Sequence, residues 1–325
     1  MKQKKRFLII DANALIHRAY HALPPLRNRK GELINAIYGF CSIFFKILKE
    51  LEPDFIVAVF DLPFPTFRHK RFKEYKAKRP KTPEELSQQI LNVKNLLKEF
   101  DIPVLEKKGF EADDIIGTVS QLVFKEKTKP QIENIILTGD SDLFQLVDSD
   151  TKVYFLKKGI KNTAFYNEEL VKERYQGLDP EELVDFKALK GDPSDNIPGV
   201  PGIGEKTALE LIKRFGSLEN LYSTLNQKPA PLANSIDLNQ RTRDLLQEHK
   251  EKAFFSRSLV QIERNVPLDF NLEKCQWKNG DREKVIQAIK KLGFRSLIKR
   301  LPDFKKSEQN DNVVEEKVDC QRKLF

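Results

Sequence analysis

The chain has 325 residues, 40% of them hydrophobic, and its 57 Lys and Arg exceed its 48 Asp and Glu by nine. A chain of this size and content can bury a sizeable core, roughly two domains' worth, which excludes disorder throughout; its positive balance suits a polyanionic partner. Cys41, Cys275 and Cys320 lie far apart, which excludes a disulfide framework and a thiolate zinc site.

Phe7 to Ile10 form an apolar run ended by Asp11, too short for a signal peptide or a membrane span, so a soluble, cytoplasmic chain is expected. The run reads as a parallel strand buried on both faces, as do Phe55 to Phe60 and Ile135 to Leu137. Ile34, Ile37, Cys41, Phe44, Phe45 and Leu48 keep helical spacing, as do Ile115, Ile116, Val119, Leu122 and Val123, and the alternation predicts a β/α sheet. From Phe64 to Lys81 eight Lys or Arg residues stand against one acid, Glu74, with Phe67, Phe72 and Tyr75 interleaved. Bases neutralise phosphates and aromatics offer stacking surfaces, so this segment, which follows Asp61 directly, is expected to hang over whatever site Asp61 serves.

From about Asn167 the strand signal fades and short helical stretches separated by Pro and Gly predict a smaller helical unit. There Gly199-Val200-Pro201-Gly202-Ile203-Gly204-Glu205-Lys206-Thr207 leads into an apolar-periodic helix, Ala208 to Phe215. Glu205 between Gly204 and Lys206, and the lack of a preceding strand, argue against a nucleotide-hydrolase loop; a helix, turn and helix gripping one DNA backbone fits better. Residues 226–237 read as a loop, Arg282 to Leu301 as an amphipathic helix pair, and Lys305 to Asp319 as a disordered tail.

Acids follow each predicted strand: Asp11, Asp61, then Asp140 with Asp142. Ligands of open parallel sheets bind beyond the carboxyl ends of the strands. Glu111, Asp113 and Asp114 open the helix carrying Ile115, and Asp192 with Asp195 sit in a Gly-Asp-Pro turn, so nine acids are candidates to converge. Like charges so gathered need cations, and oxygen donors without Cys or a nearby His favour Mg²⁺ or Mn²⁺. Two such ions about 4 Å apart would suit in-line hydrolysis of a phosphodiester. The plainer alternative is that each Asp merely caps the next helix. The four histidines show no metal spacing, and no serine sits in a nucleophile elbow.

Leu8-Ile9-Ile10-Asp11, Val59-Phe60-Asp61 with Phe67-Arg68-His69, Tyr75-Lys76-Ala77-Lys78-Arg79, Gly109 to Asp114, Thr138 to Leu143 and Gly191 to Val200 together resemble the flap endonuclease family, in particular the 5′-nuclease domain of bacterial DNA polymerase I, from Phe7 to about Leu301. The resemblance implies a parallel-sheet PIN-like nuclease core (1–170) with a basic arch at about 64–98, and a helical helix-3-turn-helix DNA-binding domain (171–301), followed by the tail (302–325). It implies a two-metal site of Asp11, Asp61, Glu111, Asp113, Asp114, Asp140, Asp142, Asp192 and Asp195. Lys76 and Arg79 would contact the scissile phosphate, and Arg68 and Tyr75 the DNA. Gly199, Gly202, Gly204, Lys206 and Thr207 would bind duplex, with a K⁺ ion held by backbone carbonyls. The expected substrates are DNA flaps, nicks and RNA primers, met by a nucleoid-associated monomer. Gln321 to Phe325 resembles the short peptide by which bacterial replication proteins dock on the sliding clamp. Two rival readings are a PIN-like ribonuclease and a non-catalytic structure-specific DNA-binding protein.

Overall fold

The structure is a computed structural model and describes residues 4–125, 132–159, 162–226, 238, 240–277 and 282–301. Most of the 226–237 loop and all of the tail, including the Gln321 to Phe325 peptide, lie outside the described residues.

The chain opens with β1 (Lys5–Asp11), α1 (Ala12–Ala22), α2 (Asn35–Leu51) and β2 (Phe55–Val59). A short α3 (Phe67–Arg71) and a run of turns lead to α4 (Glu84–Glu99), β3 (Val104–Leu105), α5 (Ala112–Lys125), β4 (Ile132–Thr138), β5 (Thr151–Lys158) and β6 (Asn162–Tyr166). The six strands form one sheet ordered β3-β2-β1-β4-β5-β6, parallel except for the β5–β6 edge pair. Strands buried on both faces explain the unbroken apolar runs. Along β1, Phe7 and Ile9 enter the core shared with α5, whereas Leu8 and Ile10 enter the one built with α1, α2 and α4. β3, β5 and β6 were not among the predicted strands; β3 is two residues long, and Lys and Thr in β5 and Asn and Thr in β6 break the apolar run that marks a doubly buried strand.

Register fixes where the acids fall. Asp11 pairs with Val59 and Ile10 with Leu137, so β1, β2 and β4 end level and the residues following them emerge along one edge.

The helical part comprises α6 (Glu168–Arg174), α7 (Leu183–Lys190), α8 (Glu205–Phe215), α9 (Leu218–Asn226), α10 (Gln240–Glu248) and α11 (Lys250–Val260). The last helices, α12 (Arg282–Lys291) and α13 (Arg295–Ile298), depart from the expected helical unit. Val285, Ala288, Ile289, Phe294 and Leu297 are buried in the core that holds Leu8, Phe44 and Phe100, and Trp277 N donates to Asp54 O. Their apolar stripe needs a partner face, and the α2/α4 layer supplies it. Among the described residues no helix is long and apolar enough to cross a membrane.

Candidate active site

Asp11 leaves β1 as the N-cap of α1: Oδ1 accepts from Ala14 N at 3.0 Å and Oδ2 from Thr138 Oγ1 at 2.6 Å. Asp140 likewise caps the short 3₁₀ turn Ser141–Leu146, accepting from Asp142 N at 2.9 Å. The capping reading of these acids therefore holds, and it does not compete with a site, because capping occupies one face of each carboxyl. Asp61 Oδ1 accepts from Ala112 N, which ties β2's end to the helix that carries Asp113.

These residues meet. Asp11, Asp61, Glu111, Asp113 and Asp140 line one cleft of about 300 Å³, together with Asn13, His17, Lys76 and Arg79. Burial pushes Asp11 up to about 7 despite its two hydrogen bonds, with Asp61 and Asp140 adding to the rise. Asp113 is held well above the usual carboxylate range by desolvation and by Asp140 and Asp11, and its carboxyl makes no hydrogen bond or ion pair among the described residues. Asp61 is exposed as a residue, yet desolvation of its carboxyl within the cleft raises it as well. A larger cavity of about 780 Å³, at Phe67, Phe110 and Arg264, has a mixed polar lining and no acid cluster, so size does not mark the chemistry here.

The chain's own cations meet the rest of the acids. Lys187 pairs with Asp142 and lies 3.3 Å from Asp192. Burial pushes Asp142 up to about 6 in spite of Lys187; burial also acts on Asp192, but the Ser194 hydrogen bonds and Lys187 outweigh it and hold Asp192 below its ordinary value. Lys76 Nζ stands 3.0 Å from Glu111 and 3.7 Å from Asp195, and Arg79 pairs with Asp195. Burial disfavours the Lys76 ammonium, but Glu111 and Asp195 prevail and keep its pKa raised.

A divalent metal fits this donor set. All donors are carboxylate oxygens, several stay unneutralised, and Asp113 is an orphan aimed at no protein partner. Among the described residues no three acids stand as a ready-made cage; the like charges stand apart, with Lys76, Arg79 and Lys187 between and beside them.

Four expected site residues take other roles. Asp114 is fully buried and accepts from Arg68 through both oxygens at 2.8 Å, from Glu111 N at 3.0 Å and from Glu263 N at 2.9 Å, so no lone pair is left for a metal. Arg68 and Tyr75 are buried and cannot touch DNA: Arg68 grips Asp114, and Tyr75 Oη donates to Glu111 at 3.0 Å and lies 3.2 Å from Asp195. In the turn before α8, Gly202, Gly204, Lys206 and partly Thr207 are accessible, whereas Gly199 is buried at φ +63, where a Cβ would lie 2.3 Å from Gly191 N. Gly199 closes the neck of the Asp192–Asp195 loop and makes no surface for DNA. Missed by sequence reasoning were Asn13, His17, Thr138 and Lys187. His17 stands one helical turn after Asn13 in α1, but six residues from Asp11 it shares no helical face with that acid, and Lys187 gave no signal, being one of two lysines in a half-apolar helix.

The model for the 5′-3′ exonuclease N-terminal resolvase-like domain matches residues 6–176, and that for the 5′-3′ exonuclease C-terminal SAM fold matches residues 178–283. The chain is 40% identical to DNA polymerase I of Bacillus subtilis over 316 residues, 97% of this chain and 34% of that protein. It is 36% identical to DNA polymerase I of Mycobacterium tuberculosis over 304 residues, 93% of this chain and 32% of the other. The chain thus spans about a third of the length of these relatives. Among solved structures, T5 D15 protein co-crystallised with metal ions superposes with TM-score 0.63 at 20% identity, over 91% of this chain and 96% of that one. The catalytic core of Rad2 in complex with DNA substrate superposes with TM-score 0.56 at 20% identity, over 91% of each chain. At that identity the likeness is one of fold.

Proposed function

We propose, from the premise that this chain belongs to the 5′-3′ exonuclease family, that it is a metal-dependent 5′-3′ exonuclease and flap endonuclease that hydrolyses DNA phosphodiesters and leaves a 5′-phosphate and a 3′-hydroxyl. The observation that carries this reading is the single cleft in which Asp11, Asp61, Glu111, Asp113 and Asp140 meet Lys76 and Arg79.

Those five acids would hold one ion, and Asp142, Asp192 and Asp195 would hold or orient a second, each Mg²⁺ or Mn²⁺. When bound, such ions supply charge neutralisation and Lewis acidity towards a phosphodiester. The chain's own groups do the positioning. Thr138 and Ala14 fix the Asp11 carboxyl, and Ala112 N fixes that of Asp61. Lys76 and Arg79 put fixed positive charge where a phosphate enters, and Arg79 offers a fork that matches two phosphate oxygens. Lys187 pairs with both Asp142 and Asp192 and offsets their like charge. The accessible Gly202 to Thr207 turn presents amides at the start of α8 to a duplex backbone and carbonyls to a K⁺ ion. Flaps, nicks and RNA primers are the substrates this arrangement suits, and a Gln321 to Phe325 contact with a sliding clamp would raise local concentration at them; deleting that peptide should abolish clamp pull-down.

Cleavage of a 5′-labelled flap and a matched single strand, in Mg²⁺ and in EDTA, with wild type and Asp140→Ala, tests the reading. The expected result is Mg²⁺-dependent cutting near the junction, lost in Asp140→Ala while DNA binding persists. Tight binding without cleavage under either metal, or preferential cutting of single-stranded RNA, overturns it.

A further inference from the structure

Beside the cleft, two short loops carry an aromatic and two cations that nothing above uses. Phe64 is 47% exposed, a high value for so large an apolar side chain. Lys108 Nζ lies over its ring, 4.8 Å from the centroid. Among the described residues, Lys107 and Lys108 form no ion pair with a carboxylate, and Phe64 contacts no other ring. The ring is thus met by one ammonium, and nearly half of the side chain is open to solvent.

Scattered exposed apolar residues are ordinary on protein surfaces and need no function. Here the surroundings argue otherwise. Pro63 and Pro65 flank Phe64 and restrict its backbone. Phe64 N donates to Leu62 O at 2.7 Å, Asp61 N to Asn13 Oδ1 at 3.2 Å and Phe67 N to Gly109 O at 2.9 Å, so the loop is fastened at both ends and to its neighbour. Gly109, at φ +92, makes the turn that brings Lys108 back over the ring, a conformation a side chain would strain. Phe64 follows Asp61 by three residues and Lys108 precedes Glu111 by three, so each stands within about 10 Å of chain from a cleft carboxylate.

We propose that Phe64, Lys107 and Lys108 form a stacking subsite for an unpaired base of single-stranded nucleic acid at the rim of the carboxylate cleft. The exposed part of the Phe64 ring takes the base, and the two lysines serve the adjoining phosphates, a pairing of π surface and positive charge that binds single strands without regard to sequence. The subsite deepens the nuclease reading and rests on it for the identity of the substrate, but its binding step needs no metal and no cleavage.

The probe is oligothymidylate in EDTA, with a blunt hairpin duplex of equal phosphate number as control. In Phe64→Trp, emission is expected to be quenched saturably by oligothymidylate and little by the duplex, above the background that Trp277 gives in wild type. Phe64→Ala should weaken oligothymidylate binding roughly tenfold, and Phe64→Leu by a similar factor, because Leu keeps apolar area and lacks the π face. Lys107→Gln with Lys108→Gln should reduce the salt dependence of binding by about one to two released ions. No quenching in Phe64→Trp, an unchanged Kd in Phe64→Ala, or equal losses on both probes would overturn the subsite. Quenching by oligothymidylate in a protein that cleaves nothing under Mg²⁺ would uphold the subsite and sink the nuclease reading; flap cleavage without quenching would do the reverse.

Discussion

Arg68 has five N–H donors and the structure uses all five. Nε donates to Leu259 O at 2.8 Å, Nη1 to Asp114 at 2.8 Å and Glu111 at 3.4 Å, and Nη2 to Asp114 and to Gln261 O, each at 2.8 Å. The guanidinium thus fastens the basic segment, the start of α5 and the 259–263 strand of chain to one another. Removing one member of such a buried pair leaves the other charge uncompensated, at about 3–5 kcal/mol. Arg68→Met is therefore expected to lower unfolding stability by that amount in urea denaturation. Asp114→Asn should destabilise too, but its half-saturating Mg²⁺ concentration for cleavage should match wild type, while Asp140→Asn should raise it. A shifted Mg²⁺ requirement in Asp114→Asn would restore Asp114 to the ligands. In the sequence, Asp113 and Asp114 are indistinguishable neighbours. What separates them is Arg68 and the stretch Leu259 to Glu263, the latter some 145 to 150 residues away, and no local pattern carries that information.

At the scale of elements, the turn between α7 and α8 does two jobs through its glycines. Gly191 and Gly199 face each other across the neck of the Asp192–Asp195 loop: a Cβ on Gly191 would lie 2.7 Å from Ile197 O, and one on Gly199 2.3 Å from Gly191 N. Both sit at positive φ, +76 and +63. Gly199→Ala therefore adds left-handed strain of about 1–2 kcal/mol to a backbone collision that only opening the neck can relieve. It should lower the melting temperature and cut cleavage through displaced Asp192 and Asp195, while Gly204→Ala, where a Cβ meets nothing within 4 Å, should leave the melting temperature nearly unchanged. Equal melting temperatures for Gly199→Ala and wild type would refute the neck. The acids at strand ends were legible because a doubly buried parallel strand is one apolar run whose first polar residue marks its mouth. The strands β5 and β6 and the return of α12 and α13 to the α/β layers were not, since the place of a mixed-polarity strand in the sheet and the choice of packing partner are decided by the assembled fold.

For the whole molecule, the acid cleft sets a stability cost that metal should offset. Burial raises Asp11 from 3.8 to about 7 and Asp142 to about 6, and Asp113 also rises. At these sites the folded protein keeps protons that the unfolded chain has already released. Their contribution to stability is full below about pH 4 and is lost as pH climbs through the folded values, between roughly pH 4 and 7. In EDTA the melting temperature is therefore expected to fall from pH 5 to pH 8. Asn at position 11 can keep both hydrogen bonds, accepting from Ala14 N and donating to Thr138 Oγ1, without the charge. Asp11→Asn should accordingly gain up to about 4 kcal/mol over wild type at pH 8 without metal, the worth of a shift of about three pH units, and lose cleavage. Mg²⁺ should raise the melting temperature of wild type at pH 8 and do less for Asp11→Asn. Calorimetric scans of the two proteins at pH 5 and pH 8, each with EDTA and with Mg²⁺, measure this. A destabilised Asp11→Asn at pH 8 in EDTA would mean that Lys76, Arg79 and Lys187 already neutralise the cleft, leaving a divalent ion no electrostatic reason to bind there.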